Sequence, residues 1–256
     1  MSDNEAHKPK VDSTLSKGLA ILEELASSRE SRGVTDLSRS LNLTKSNTFR
    51  LLQTLTNLGY VRHEADKSYA ATLKTWQIGR NVVENFNLRA AAQPSMRVLS
   101  QETGETIYLA VRDGLQVVYV DKIESQKPIR TWNPIGGTAP LFCVGTGKAI
   151  LAAEYDELRE LVLPKLQAFT DRTIVEPATL DADISATRKR GFAVDTGEFR
   201  PQVFSFGSAI RFPDGSIAGA LGVSVPEVNM EEGDAARIGG LVLSAANSVS
   251  VNLTRL

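Results

Sequence analysis

The sequence predicts an α+β protein, in which a small helical N-terminal domain precedes a larger domain built on an antiparallel sheet. Leucines recur at helical spacing through residues 14–58. Two Asp-Gly dipeptides, at Asp113 and Asp214, each separate two apolar runs of strand length. Helices followed by hairpins, without alternation of strand and helix, favour an α+β arrangement over a parallel α/β sheet.

The composition is that of an ordinary globular protein and excludes several classes. The chain has 256 residues, 42% of them hydrophobic, and a net charge of −1. No apolar run approaches the ~18 residues of a membrane span, and the first twelve residues are polar, so we expect a cytoplasmic protein without a signal peptide. One cysteine (Cys143) and two histidines (His7 and His63) favour neither a zinc site nor a histidine-dependent hydrolase. We therefore expect no metal, no cofactor and no enzymatic activity.

Positive charge is concentrated near the N-terminus. Residues 39–74 carry six Lys or Arg and two Asp or Glu. Such a patch is typical of a phosphate-binding surface. In the absence of a further pattern, an ordinary solvated surface would explain the charge equally well.

The leucine spacing predicts three helices in the N-terminal domain. The first covers about residues 14–26, with four leucines on one buried face: Leu15, Leu19, Leu22 and Leu25. The second begins at Thr35, whose hydroxyl can cap it, and ends before Asn42. The third covers 45–58, with Thr44 as its N-cap and Gly59 at its C-terminal end.

The third helix has one apolar and one polar face. A helical projection places five apolar residues on the buried side: Phe49, Leu51, Leu52, Leu55 and Leu58. The opposite side carries no carboxylate and consists of Ser46, Asn47, Arg50, Gln53, Thr54 and Asn57. A face without acids avoids repelling phosphates and leaves amides and hydroxyls free for base edges.

Two helices joined by a three-residue turn form a helix-turn-helix, whose second helix enters the major groove of DNA. Two short strands, at 60–63 and 68–70, would add a wing behind it. A plain three-helix bundle with a hairpin for protein contacts is the alternative. The candidate DNA-contacting residues are Thr44, Lys45, Ser46, Asn47, Thr48, Arg50, Arg62, His63 and Lys67.

Four segments of the chain carry recognisable motifs. They are VDSTLSKGLAIL (11–22), LTKSNTFRLLQTL (43–55), TGKAILA (146–152) and GFAVDTGE (191–198), the last followed by Ser205. In these segments the chain resembles the IclR family of bacterial transcription regulators. The resemblance extends over residues 11–255 and implies a winged helix-turn-helix joined to an effector-binding domain similar to the GAF fold. Phe206 and Arg211 depart from the family pattern.

The remaining pattern agrees with this organisation. We expect a tail at 1–10, the winged helix-turn-helix at 11–74, a linker helix at 75–93 and the effector-binding domain at 94–256, with Pro94 opening its first helix. The two Asp-Gly turns predict hairpins that join 106–111 to 116–120 and 203–212 to 216–225. Further helices are expected at about 156–163, 180–190 and 231–252.

The glycine-rich loop at 145–148 is similar to nucleotide-binding motifs but does not complete one. Phe142, Ala149 and Ile150 stand where those motifs need a glycine, a Ser or Thr, and a third glycine. A glycine-flanked helix start still attracts an anion such as a carboxylate. The alternative is that these glycines only permit close packing of a helix on the sheet.

The resemblance implies a small organic acid as effector. The matching positions are Gly145, Thr146, Asp195, Ser205 and Ser224. Gly222 stands where a serine is frequent in the family, which predicts a roomier cavity and an aromatic or sugar-derived acid. We expect Asp195 to meet such an acid through a bridging hydroxyl or ketone, since two carboxylates repel. Four residues are expected to form the apolar wall, namely Trp132, Leu141, Phe142 and Leu221, although Trp132 and Phe142 fit a protein core as well.

Together these features predict ligand-gated DNA binding. One winged helix buries too little DNA for strong specificity, so two copies should bind a pseudo-palindromic operator, and the resemblance implies homodimers that pair into tetramers. An enzyme is disfavoured because no histidine follows residue 63. A DNA-binding scaffold without any ligand remains the alternative.

Overall fold

The computed structural model describes residues 12–28, 30–84 and 88–253. The chain divides into two compact units, Met1–Asn85 and Phe86–Leu256. The N-terminal tail expected at 1–10, together with His7, lies outside the described residues.

The N-terminal unit contains the predicted helix-turn-helix and wing. Its elements are α1 (Ser13–Ser27), α2 (Val34–Ser40), α3 (Lys45–Asn57), β1 (Val61–His63), β2 (Tyr69–Ala71) and α4 (Lys74–Glu84). The Thr44 hydroxyl accepts a hydrogen bond from the Asn47 amide (3.3 Å), as the predicted N-cap of α3 should. The core consists of Ile21, Leu22, Leu25, Leu37, Leu51, Leu52, Val61 and Tyr69.

The structure corrects four predicted core residues of this unit. Leu15 and Leu19 are exposed, and only the second half of α1 packs against the other elements of the unit. Phe49 and Leu58 are also exposed, because the centre of the buried arc of α3 is formed by Thr48, Leu51 and Leu52. Side chains at the edges of that arc are left at the surface.

The predicted cap of α2 is also wrong. Gly33 holds the N-cap position, and Thr35 lies inside the first turn of the helix. Arg32 exchanges two backbone hydrogen bonds of 2.9 Å with Tyr69 of the wing, so the chain leaves that pairing and enters the helix at once.

Pro94 lies inside a helix, whereas the sequence predicted that it opens one. Two helices cover this region. They are α4, ending at Glu84, and α5 (Leu88–Thr103), which contains Pro94 in its interior. Proline removes one helical hydrogen bond at a cost of about 3 kcal/mol. The buried side chains of α5, such as Leu88, Met96 and Leu99, offset that cost. The division between the two compact units falls between residues 85 and 86, within the predicted linker.

The C-terminal unit is an antiparallel sheet covered by helices. Its strands are β3 (Thr106–Asp113), β4 (Gln116–Ile123), β5 (Thr138–Pro140), β6 (Ala193–Thr196), β7 (Val203–Arg211) and β8 (Ile217–Pro226). Its further helices are α6 (Gly145–Ala153), α7 (Tyr155–Val162), α8 (Pro177–Arg190) and α9 (Asp234–Asn252). The strand order is β5-β4-β3-β8-β7-β6, with every neighbouring pair antiparallel. Both predicted hairpins are confirmed, and Gly114 and Gly215 take the positive φ their turns require.

Each face of the sheet packs against its own layer of helices. Leu109 and Leu221 share a cluster with residues of α5 and α9, whereas Tyr108 and Ala110 share one with residues of α6. Side chains alternate between the two faces of a strand. Gly222 pairs with Tyr108 and therefore lies on the α6 face, opposite to its neighbour Leu221.

Candidate functional site

The polar face of α3 is exposed as the sequence predicted. Lys45, Ser46 and Arg50 are exposed, and Asn47 is half-buried. Nη2 of Arg50 donates to Oδ1 of Asn47 at 3.3 Å, one helical turn apart. Gln53, Thr54 and Asn57 extend the exposed face along the helix. The result is a surface of hydrogen-bonding groups with a net positive charge and no carboxylate on α3.

Thr48 does not belong to this surface. It is fully buried, and its hydroxyl donates to the Thr44 carbonyl oxygen at 3.0 Å. Thr48 follows Ser46 by two residues, or 200° around the helix, which places it in the middle of the buried arc. Its inclusion among the DNA-contacting residues is therefore wrong. The helical projection of α3 already placed Thr48 on the apolar side.

The wing brings three more predicted residues to the surface. Arg62, His63 and Lys67 are exposed, and Arg62 forms an ion pair with Glu64. A groove of about 640 Å³ separates the wing from α3. It is lined by Val34, Phe49, Gln53, Thr56, Asn57, His63, Lys67 and Tyr69. Phe49, which the sequence predicted to be in the core, is exposed and lines this groove.

The second candidate site is a cavity at the start of α6. Its volume is about 30 Å³. It is lined by Tyr108, Tyr119, Asn133, Val144, Thr146, Asp195, Phe199, Arg200, Val203, Ser205, Phe206, Gly222, Val223 and Ser224. Thr146, Asp195, Ser205 and Ser224 are thus brought together as expected. A multi-atom ligand needs this cavity to widen.

Gly145, Ser205 and Asp195 are linked by a chain of hydrogen bonds. The Gly145 amide donates to Ser205 Oγ at 2.8 Å, and that hydroxyl donates to Asp195 Oδ2 at 2.6 Å. The other carboxylate oxygen of Asp195 accepts from the amides of Gly197 (2.9 Å) and Glu198 (2.7 Å). Burial raises the pKa of Asp195, while these hydrogen bonds oppose the shift. Asp195 therefore holds the loop after β6 together, and Gly145 lies beside the cavity rather than in its lining.

Glycines let α6 lie against the sheet. A Cβ added at Gly207 would stand 2.2 Å from the Gly145 carbonyl oxygen, and one added at Gly145 would stand 2.8 Å from the Phe206 backbone. A Cβ at Gly222 would stand 2.5 Å from Cγ2 of Thr146. The packing interpretation of the glycine loop thus has direct support. The prediction that Gly222 widens the cavity is wrong, because the Thr146 methyl occupies that space.

None of the four predicted wall residues lines the cavity. Leu141 and Phe142 are buried in the core on the α6 side, where the Phe142 ring lies 6.2 Å from that of Phe169. Leu221 lies on the opposite face of the sheet. Trp132 is 59% exposed and lies in an outer groove. Their placement depends on strand register and tertiary packing, which hydrophobicity alone does not reveal.

Four polar lining residues were missed by the sequence analysis: Tyr108, Tyr119, Asn133 and Arg200. The two tyrosine rings lie 4.8 Å apart, and the Tyr108 hydroxyl accepts from the Asn133 amide at 2.8 Å. Burial raises the pKa of Tyr119, against a hydrogen bond with Thr146 and the charge of Arg200. Tyr119 pairs with Ala110, two residues from Tyr108 along β3, so the two tyrosines are diagonal neighbours in the hairpin and the predicted register contained a signal for this pair.

Lys148 lies behind the cavity, fully buried among acidic groups. Its ammonium group donates to the Val194 carbonyl (2.8 Å) and to Glu198 Oε1 (2.6 Å), and it lies 2.8 Å from Asp183 Oδ2. Two hydrogen bonds and one ion pair therefore hold the ammonium group. Burial raises the pKa of Glu198 to about 7, with Asp195 and Asp183 adding to the shift and Lys148 opposing it. In the sequence, Lys148 belongs to the TGKAILA motif and to the glycine-rich loop, and neither indicates that it is buried.

Within 12–28, 30–84 and 88–253, no group of three or more His, Cys, Asp or Glu side chains is arranged to hold a metal ion. No helix in these same ranges is long and apolar enough to cross a membrane.

Comparisons with known proteins show the family of this chain. Residues 14–65 match the IclR helix-turn-helix domain, and residues 80–251 match the family described as bacterial transcriptional regulator IclR C-terminal. The chain is 33% identical over 243 residues to the HTH-type transcriptional repressor AllR of Escherichia coli K12, covering 93% of this chain and 89% of that protein.

Two crystal structures extend this likeness to the fold. That of Thermotoga maritima IclR has a TM-score of 0.79 at 28% identity and covers 94% of this chain and 98% of its own. An IclR homolog from Microbacterium hydrocarbonoxydans, complexed with 4-hydroxybenzoate, has a TM-score of 0.82 at 21% identity and covers 94% and 99%. This chain is a DNA-binding transcriptional regulator and belongs to the IclR family.

Proposed function

We propose that this regulator controls catabolic genes in response to a small organic acid, which binds in the cavity at the start of α6. The observation that carries the proposal is the ring of hydroxyl groups around that cavity, from Tyr108, Tyr119, Thr146, Ser205 and Ser224. A few convergent polar groups in a concave, otherwise apolar site are typical of small-molecule binding. We propose no catalytic role, since the relatives are transcriptional regulators.

The chemistry of the lining favours an oxygen-rich anion. Hydroxyl groups donate to carboxylate, keto and hydroxyl oxygens, and Arg200 adds a positive charge. A protein of the same fold is complexed with 4-hydroxybenzoate, which combines a carboxylate with a hydroxyl group. Gly222 does not favour a larger acid, because the Thr146 methyl group occupies the space beside it.

A specific observation also supports the alternative of a scaffold without a ligand. A Cβ at Gly145, Gly207 or Gly222 would stand within 3 Å of α6 or of the sheet, so close packing is sufficient to explain these glycines. The glycine loop therefore does not by itself argue for an anion.

A thermal-shift screen separates the two functions. The purified protein is heated with glyoxylate, pyruvate, 4-hydroxybenzoate and gluconate, each over a range of concentrations. An effector at about 100 times its Kd stabilises the folded state by roughly 2.7 kcal/mol. A selective shift that Ser224→Ala abolishes supports the acid-responsive regulator. The absence of a shift with all four acids favours the scaffold.

For the DNA-binding unit we propose that α3 enters the major groove and that Arg62, His63 and Lys67 of the wing contact the phosphate backbone. Two copies would bind a pseudo-palindromic operator in the cytoplasm, and dimers would pair into tetramers. Selection from random duplexes tests this arrangement, since it should return two-fold symmetric sites. Sedimentation of the protein with and without the selected DNA gives the number of copies, and a single asymmetric site bound by a monomer would contradict the proposal.

A further inference from the structure

The first amide of α6, at the helix start where the sequence predicted an anion, already has a partner within the protein. The Gly145 amide donates to Ser205 Oγ at 2.8 Å, and the Ser205 hydroxyl uses its proton on Asp195. An acid bound at this end of the cavity would face the buried Asp195 carboxylate, which repels it. The carboxylate of an acidic effector therefore needs a positive partner elsewhere in the cavity.

Arg200 is the one cationic side chain among the described residues that line the cavity. It also lines a larger outer groove of about 750 Å³, together with Trp132, Asn133 and Val203. Arg200 thus lies where the groove meets the cavity. Its charge acts on the cavity interior, since it lowers the pKa of the buried Tyr119 against the larger effect of burial.

The Arg200 guanidinium is weakly engaged in the structure. Its Nη1 donates to the Trp132 carbonyl oxygen at 3.3 Å, and its central carbon lies 5.9 Å from the centre of the Phe199 ring. It forms no ion pair with any residue in the described part of the chain. A guanidinium offers five donors in a planar fork that matches a carboxylate. Most of those donors are available to a ligand.

We propose that Arg200 binds the carboxylate of the effector and thereby selects acids over neutral molecules of the same shape. This inference rests on the proposed function. The carboxylate lies at the mouth of the cavity, and the rest of the effector points inward to the hydroxyl groups of Tyr108 and Ser224, where the cavity widens to admit it. Asp195 then lies at the far end, where a hydroxyl group of the ligand donates to Ser205 Oγ, whose own proton is used on Asp195. This orientation explains how a site with a buried carboxylate accepts an acid.

Arg130 provides a matched control for Arg200. Both side chains are exposed and line the same outer groove, but only Arg200 lines the cavity. Arg130 donates one long hydrogen bond of 3.5 Å to the Lys127 carbonyl, so each substitution removes one charge and one weak hydrogen bond. Arg200→Gln and Arg130→Gln therefore differ chiefly in their distance from the ligand. Arg200→Lys keeps the positive charge at the mouth of the cavity but removes the planar pair of donors that a guanidinium group offers to a carboxylate.

The probes are two acids and their neutral amides: 4-hydroxybenzoate with 4-hydroxybenzamide, and pyruvate with pyruvamide. Thermal shifts and titration calorimetry are measured on the full-length wild type and the three variants. We expect at least one acid, and neither amide, to stabilise the wild type and Arg130→Gln. Arg200→Gln should bind that acid about 10- to 100-fold more weakly, and Arg200→Lys should fall between the two.

The outcomes separate this inference from the proposed function. If Arg200→Gln binds the acid as tightly as the wild type does, Arg200 is not the carboxylate partner, although the acid-responsive regulator stands. Equal losses in Arg200→Gln and Arg130→Gln would show a general charge effect of the groove and would also overturn the inference. Equal binding of acid and amide would do the same. If neither acid binds the wild type, the proposed effector class fails, and the role of Arg200 fails with it.

Discussion

The Thr146 methyl group stands where the side chain of residue 222 would begin, since a Cβ built on Gly222 lies 2.5 Å from Thr146 Cγ2. Thr146 is in the first turn of α6, and Gly222 is in the middle of β8. The Phe206 carbonyl oxygen, at 2.9 Å, closes the same space from β7. The distance between α6 and the sheet at the cavity is thus set by a glycine that accommodates a threonine methyl.

Gly222→Ala should therefore destabilise the C-terminal unit by about 1–3 kcal/mol, the usual cost of overpacking a core. Thr146→Ser removes the methyl group and keeps the hydroxyl, so Gly222→Ala should cost less in a Thr146→Ser background than in the wild type. The recovery should be partial, because the Phe206 carbonyl remains. Urea denaturation of the two single variants and the double variant measures the coupling. Strictly additive costs would show that the two residues do not compete for this space.

Arg50 lies on the acid-free face of α3, and its substitution should affect DNA binding alone. Arg50→Ala should weaken binding to a selected operator and, if it contacts phosphate, reduce the slope of log K against log salt concentration by about 0.9. Effector binding and the midpoint of unfolding should change little, because the side chain is exposed. Fluorescence anisotropy at several salt concentrations gives the slope. Arg130→Ala, in the other unit, is the control, and an unchanged operator affinity in Arg50→Ala would refute this placement.

Thr48 and Ser46 should respond in opposite ways to loss of their side-chain groups. Thr48→Ser keeps the hydroxyl bond to Thr44 but loses a buried methyl group, so it should cost about 1 kcal/mol of stability and leave the DNA affinity of the folded protein unchanged. Ser46→Ala changes an exposed hydroxyl in the first turn of α3 and should weaken DNA binding with little effect on stability. Thermal unfolding and anisotropy on both variants test the pair. A loss of operator affinity in Thr48→Ser would return Thr48 to the DNA-contacting surface.

Local chemistry explains which features the sequence could predict. The hairpins at Asp113-Gly114 and Asp214-Gly215 and the cap at Thr44 depend on neighbours within a few residues, and the structure has all three. Thr146, Asp195, Ser205 and Ser224 lie far apart in the chain. They were found through the resemblance to a family, because no local pattern shows that a strand and a helix start will meet.

The missed features depend on packing between distant elements. Lys148 is an unremarkable charged residue in sequence, and it becomes buried because Glu198, Asp183 and the Val194 carbonyl come from three other parts of the fold. Arg200 follows a loop motif, and only the position of Asn133 and Val203 beside it reveals that it borders a cavity. Trp132 illustrates the opposite error, since an aromatic residue predicted to be in the wall is at the surface.

The buried Lys148–Glu198 pair leads to a prediction about pH. Glu198 is buried, and the pKa of its carboxyl group is raised to about 7, chiefly by burial. A raised pKa in the folded state means that the protonated form is the one that folding favours. The stability this contributes is complete below the usual pKa of 4.5 and is lost as the pH rises through 7. Lys148, Asp183 and Asp195 face Glu198 from α6, α8 and β6 and set the size of the effect.

Glu198→Gln cannot titrate, but it keeps an oxygen that accepts from Lys148. Between pH 4.5 and 7.5, the free energy of unfolding of the wild type should therefore fall relative to that of Glu198→Gln, by up to about 3 kcal/mol. Urea denaturation at intervals of half a pH unit gives the difference, and subtraction removes the groups that titrate equally in both proteins. The exposed Glu160 provides the control, since Glu160→Gln should follow the wild type over the whole range. Parallel curves for the wild type and Glu198→Gln would show that Glu198 stays ionised in the folded protein, held by Lys148.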